Sequence, residues 1–308
     1  SKTNIVVFAA RRSRISESEV KIYFDDTLVE VVPEFTYLGV LFVAGKGCTA
    51  TTMKHRCSAG RRALHAMKRR FKELQLQRSE TQFKLFDVFV EPVLSYGMEV
   101  WALKDLCSIA PQATEAERLQ ISLLKEVLGV RRSTANIITL AECSRWPLAM
   151  RWIKRIVRFY NRLVAAPATS LLSLAMTTSI QLVSSDRRQH QTWAADFSNA
   201  LRSFGIEIEL GQPLHRDEVV YTWKQKYLQR VAATPGTKRE FYFQHIRKDL
   251  TPENYDEIPE YLQLLEKRGR RRALAQLRTG SHWLQEEVGR WLRLPPEQRV
   301  CPHCVDSS

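Results

Sequence analysis

Two adjacent carboxylates, Asp25 and Asp26, close the tetrapeptide Tyr23-Phe24-Asp25-Asp26. An aspartate pair can hold divalent metals for phosphoryl transfer, but that chemistry also needs a further carboxylate from a neighbouring strand to bridge the ions. Upstream of Asp25 the only acids are Glu17 and Glu19, both in a polar segment of Ser and Arg. Asp-Asp followed by Thr, between two alternating runs, is turn chemistry, and the pair is read as a hairpin turn. Cys301-x-x-Cys304 is half of a tetrahedral zinc site. His303 lies between the two sulfurs and is badly placed to reach the same ion. Two ligands do not hold structural zinc. No complete acid/base, nucleophile or metal set stands out, so an enzyme reading for this span alone is the weakest.

Positive charge in helical register is more abundant. Between Lys54 and Lys72 there are eight Lys/Arg and no acid. Helical spacing places Lys54, Arg61, Lys68 and Lys72 on one face with His65 beside them, opposite an apolar stripe of Gly60, Ala63, Leu64, Met67, Phe71 and Leu74. Such a helix can grip a core with one side and phosphates with the other; a solvated basic face is the plainer alternative. Arg151, Lys154, Arg155, Arg158 and Arg162 repeat the pattern. Trp152, Ile156, Phe159, Tyr160 and Leu163 face the other way and read as core rather than as base-stacking platforms. Lys267, Arg268, Arg270, Arg271 and Arg272 form the densest cluster: a phosphate patch, a nuclear-import signal or a solvated run. Across 308 residues, 47 Lys+Arg against 33 Asp+Glu give a net charge of +14, which favours polyanionic partners.

The elements that must position these residues change character along the chain. The first forty-odd residues are β-rich. Asn4 to Phe8 is a short apolar run, Val20 to Val32 a hairpin turning at Asp25-Asp26, and Phe35 to Phe42 a third strand. The period then becomes helical, from Met53 to Leu76. Ser79 with Gln82, and Thr114 with Glu117, read as capping boxes. The run LFDVFVEPVL is apolar nearly all round and should be buried until Tyr96-Gly97 breaks it. Gly129 should close the helix that Thr114 opens. Trp146-Pro147 opens a basic helix, Thr234-Pro235-Gly236 and Thr251-Pro252 are breakers, and a final helical pair runs from Tyr261 to about Leu294. The longest charge-free stretch, Leu163 to Ser185, holds Pro167, Gln181 and eight Ser/Thr, so it reads as a buried helical pair rather than a membrane span.

Several motifs, in order, resemble the C-terminal part of a non-LTR (LINE-class) retrotransposon reverse transcriptase. Ser1-Lys2-Thr3-Asn4 with IVVF resembles the segment that follows the catalytic motif. PEFTYLGVLF, residues 33–42, looks like the primer-grip strand. Glu91-Pro92-Val93-Leu94-Ser95-Tyr96-Gly97 with Glu99 and Trp101 resembles the thumb. Leu124-Lys125, Leu128-Gly129-Val130, Glu142 and Trp146-Pro147-Leu148 look like the following linker. ALAQLRTGSHWL, Gly289-Arg290 and Arg299-Val300-Cys301-Pro302-His303-Cys304 are similar to the tail that opens the family's zinc knuckle. The match is weak between residues 165 and 260.

The resemblance implies an α+β, predominantly α fold: a small antiparallel β remnant of a polymerase palm (1–47), a helical thumb (48–165), a helical C-terminal linker (166–295) and a truncated knuckle start (296–308). It implies a primer grip of Phe35, Tyr37, Leu38 and Gly39, and an auxiliary lysine, Lys2, near the incoming nucleotide. Cys301 and Cys304 become a half site for Zn2+ in a completed knuckle, while Mg2+ belongs to the full polymerase. The catalytic aspartates would lie in a missing N-terminal palm and fingers. The partners are an RNA template and a DNA primer or target, with no membrane. The alternative is a stand-alone, non-catalytic helical RNA/DNA-binding protein derived from such an element. Scattered cysteines and no export signal fit a nuclear or cytoplasmic, not secreted, chain.

Overall fold

The computed structural model describes residues 3–7, 21–37, 39–44, 48–106, 114–184, 192–233, 235–265 and 267–301. The fold is mostly helical with a few small strands. β1 (Asn4–Ile5) pairs with β4 (Glu30–Val31), β2 (Tyr23–Phe24) with β3 (Thr27–Leu28), and β5 (Glu34–Tyr37) with β6 (Val40–Val43). The last two pairs are antiparallel, as expected, but β1 and β4 are parallel. The hairpin between them returns the chain beside its start in the same direction. Asp25 and Asp26 are exposed at left-handed φ of 45° and 62°, the backbone that a two-residue hairpin turn requires. The single strand expected over Phe35–Phe42 is instead a hairpin, because Gly39 turns the chain at φ 79° and Phe35 pairs with Phe42.

The helix α1 (Cys48–Glu73) buries Cys57, Leu64, Met67 and Phe71 along one stripe. A Cβ at Gly60 would collide with Leu94, so the glycine lets α1 and α3 (Glu91–Leu94) approach closely. The helix between them, α2 (Ser79–Phe89), departs from expectation at both ends. Its N-cap is Arg78; Ser79 is already helical and buried, and Gln82 Nε2 donates back to the Leu76 carbonyl at 2.5 Å, so no capping box forms there. The apolar run breaks at Val90, where α3 begins, because Pro92 has no N–H to give to the preceding turn. Val88 and Phe89 are exposed rather than buried.

After α4 (Met98–Trp101) and α5 (Leu103–Leu106), α6 (Glu115–Leu128) has both expected ends. Thr114 accepts from the Glu117 N–H at 3.1 Å, and Gly129 closes the helix at φ 69°. Then follow α7 (Asn136–Glu142), α8 (Leu148–Val164), α9 (Leu171–Ser184), α10 (Trp193–Arg202), α11 (Arg216–Ala232) and α12 (Thr237–Phe241), which runs into a π-helical turn, Tyr242–Ile246. The expected terminal pair is three helices: α13 (Glu260–Leu264), α14 (Arg268–Arg278) and α15 (Gln285–Trp291). Leu265 in extended backbone and Gly280 at φ 62° supply the two breaks.

One hydrophobic core runs from Cys57 to Tyr255 and passes residue 165 without a break. The 48–165 and 166–295 segments therefore share their interior. A second cluster packs Leu262 and Ala275 against Leu124, Leu128 and Leu140, which docks the C-terminal helices onto α6 and α7. The charge-free stretch forms the end of α8 and one helix, α9. Met176 is buried, but Leu171 and Leu174 are exposed, so it is not a buried pair. No helix among the described residues is long and apolar enough to cross a membrane.

Candidate nucleic-acid interface

The side of α1 opposite the buried stripe carries Lys54, Arg61, Arg62, His65 and Lys72, all exposed. The run that lacks acids in sequence does not lack them in space. α6 packs beside α1 and brings Glu115 to Arg61 and Glu126 to Lys68, the latter at 2.5 Å. Arg69 and Arg70 share Glu73 at 3.6 and 2.7 Å. Lys54, His65 and Lys72 have no acidic partner among the described residues. The basic face exists, but carboxylates interrupt it along the α6 side.

On α8 the aromatic and aliphatic side is core, as expected: Trp152, Ile156, Tyr160 and Leu163 are buried. The arginines divide into two sets. Arg151 reaches Asp87 at 2.5 Å, and Arg145 grips the same carboxylate, with its Nη1 at 2.7 Å from Oδ2. Burial pushes the Asp87 carboxyl up, but the bonds from Arg145 and Arg151 outweigh it and hold it below its ordinary range. Arg155 donates to Ser95 Oγ at 2.7 Å and to Glu99 at 3.1 Å. These two arginines tie α8 to α2 and α4. Arg158 and Arg162 are exposed, and Arg162 lies over its own helix's Phe159 ring at 5.3 Å.

The cluster at α14 is also divided. Arg270 is exposed. Arg271 is only 5% exposed, donating to the Leu265 carbonyl at 2.5 Å and to that of Gln77, so it is not a surface cation. Arg272 donates to the Glu126 carbonyl at 2.9 Å and lies against Gly129. Docking on α6 turns part of this run inward.

The hairpin β5–β6 packs on α1, where Thr52 Oγ1 donates to the Leu41 carbonyl at 2.5 Å. A Cβ at Gly39 would lie 3.2 Å from Arg56 Nη2, and Arg56 stacks over the Tyr96 ring at 5.1 Å. The hairpin turn, α1 and the Tyr96-Gly97 bend therefore meet at one point. Phe35 is half-buried and Tyr37 is 59% exposed. Lys2, Leu38 and Cys304 lie outside the described residues; Cys301 is half-buried. Among the described residues no three His, Cys, Asp or Glu are placed to hold a metal.

Three features escaped the sequence reading of the site. Glu142 is fully buried and joins four elements: it accepts from Tyr242 Oη at 2.5 Å, Tyr261 Oη at 2.6 Å and Arg278 Nε at 2.7 Å. Glu117 is also buried, accepting from the Leu148 N–H at 2.6 Å and from Gln120 Nε2 at 2.9 Å. Burial without a bonded cation pushes its carboxyl up to about 8. Both lie inside the core and read as structural. The third is Arg131, placed over two tryptophans, Trp283 and Trp291. An arginine pair just past the helix-closing Gly129 was the one local signal for it. Comparison with family models, with curated proteins and with solved structures finds no match.

Proposed function

We propose that this chain is the C-terminal, nucleic-acid-binding part of an RNA-directed DNA polymerase of a non-LTR retrotransposon. It grips template and primer backbones and lacks the catalytic aspartates. The reading rests on the order of the family-like motifs together with one observation. The helix that follows the primer-grip-like hairpin keeps Lys54, Arg62, His65 and Lys72 on its solvent side. The ion pairs that interrupt this face do not rule it out, because exposed pairs are worth only about 0–1 kcal/mol and a polyanion can displace them. Arg158 and Arg162 add exposed charge on α8. By resemblance, Mg2+ would serve the missing palm and Zn2+ a completed knuckle.

A second reading has its own support. The described helices bury a continuous core of their own. That favours a stand-alone, non-catalytic RNA/DNA-binding protein derived from such an element. Both readings place the partner on the same basic surface.

The test is binding of a labelled RNA–DNA primer-template to the full chain, compared with Lys54→Glu/Lys72→Glu. The double reversal is expected to weaken binding about tenfold or more at low salt, since each lost phosphate contact removes released counterions. Unchanged affinity would remove the assignment. The chain is also expected to extend no primer with Mg2+; incorporation of nucleotide would overturn the turn reading of Asp25-Asp26.

A further inference from the structure

Trp283 is 73% exposed and Trp291 41% exposed, an unusual pair of rings to leave in water. Their centroids lie 5.4 Å apart with planes at 87°. The Arg131 guanidinium sits 3.9 Å from the Trp283 centroid and covers one face of that ring. Arg131 is itself held in place: its backbone N–H donates to Ser281 Oγ at 2.9 Å and its Nη2 to the His282 carbonyl at 3.3 Å. Arg131 also lies 3.1 Å from the Trp291 centroid, so the guanidinium sits in the angle between the two near-perpendicular rings and the remaining surface of Trp283 faces water. A core aromatic would not be left so; a stacking platform would.

Two adjoining depressions of about 130 and 310 Å³ lie beside this platform and share Ser133, Thr134 and Ala135 in their walls. Trp291 and Lys238 line the first, and Lys125, Arg132 and Arg239 the second. The nearby acids are already engaged. Glu287 pairs with Lys238 and with Arg290 at 3.1 Å, and Glu286 with Arg290 at 3.3 Å and Arg299 at 3.1 Å. Hydroxyls and cations thus line the two depressions, and Trp283, packed against the Arg131 and Trp291 that wall the first of them, stands at its rim, in one corner built from the α6–α7 connection, α12 and the α14–α15 turn.

We infer that this corner is a binding site for an unpaired nucleotide of a single-stranded RNA or DNA. The base stacks on the open face of Trp283, and its phosphate enters the depression beside Ser133 and Thr134, facing Arg132 and Arg239. The assignment rests on the nucleic-acid reading above and deepens it. The α1 face meets backbone alone, while this corner distinguishes a free base from a paired one. Arg131 is a positioning residue that holds the indole.

The test uses the full chain and two labelled 12-mers of equal charge, one of thymidine nucleotides and one abasic, at 50 mM salt. Trp283→Ala removes an exposed ring and should leave the fold intact, which circular dichroism checks. It is expected to weaken the base-bearing strand about 5- to 100-fold and to leave the abasic strand within about twofold. Trp283→Phe should restore most of the loss. Arg132→Glu/Arg239→Glu should weaken both strands. If Trp283→Ala leaves the base-bearing strand unchanged, or lowers both strands alike, the stacking site is overturned while the polyanion reading stands. If the wild-type chain binds neither strand, both fall.

Discussion

Arg278 on α14 donates to the carboxylate of Glu142 on α7 at 2.7 Å, and that carboxylate is completely shielded from water. Tyr242 and Tyr261 donate to the same group, so one buried charge clamps α7, the π-helical turn after α12, α13 and α14 together. Removing one partner of a buried pair leaves the other charge uncompensated. Arg278→Ala and Glu142→Ala should each cost about 3–5 kcal/mol of unfolding free energy. Urea denaturation measures this. A loss below about 1 kcal/mol for either variant would mean that the C-terminal helices are not held through this clamp.

Glu117 makes folding depend on pH. Its carboxyl, raised to about 8 by burial, holds a proton in the folded chain that the unfolded chain releases near 4.5. The contribution is fully present below about pH 4.5 and is lost as pH rises toward 8, with a slope approaching about 1.4 kcal/mol per pH unit. In Glu117→Gln the new amide keeps the acceptor for the Leu148 N–H. Gln120 Nε2 stays bonded to the Trp146 carbonyl at 3.1 Å, so the substitution costs that side chain only its bond to position 117. Stability of that variant should lose its slope across this window. Parallel pH profiles of the two proteins would contradict the assignment.

The two sets of arginines on α8 should behave oppositely. Arg155 is engaged with Ser95 and Glu99, so Arg155→Ala should lower stability by about 1–3 kcal/mol. Arg158 is exposed, so Arg158→Ala should stay within about 0.5 kcal/mol of the parent. Only the second substitution should weaken RNA or DNA binding without changing the melting temperature. Calorimetry and filter binding on the same preparations separate the two effects.

What could be read from residues alone follows how local each signal is. Thr114 and Gly129 bracket α6 because a cap is a matter of a few neighbouring residues, and the stripe on α1 is visible as a period. The turn at Asp25-Asp26 was readable for the same reason. Other features are set by distant neighbours. Arg271 looks like its flanking arginines until α14 docks on α6, and Arg61 looks free until α6 brings Glu115 beside it. Glu142 gives no sign in sequence of the two tyrosines and the arginine that meet it from 100, 119 and 136 residues away. Ser79 has the composition of a cap, yet packing draws it inside the helix. The basic face was legible; its interruption by acids and the Arg131–Trp283–Trp291 corner were not.

The central claim is that exposed lysines and arginines on α1 and α8 contact nucleic-acid phosphates. The dependence of affinity on salt tests it most directly, measured for an RNA–DNA primer-template between 50 and 200 mM monovalent salt. Four or five phosphate contacts predict a log–log slope of about −3.5 to −4.5, steepest for the parent and shallower by roughly one for each cation removed from the set Lys54, Lys72 and Arg158. A slope near zero, or one that these substitutions leave untouched, would contradict the account.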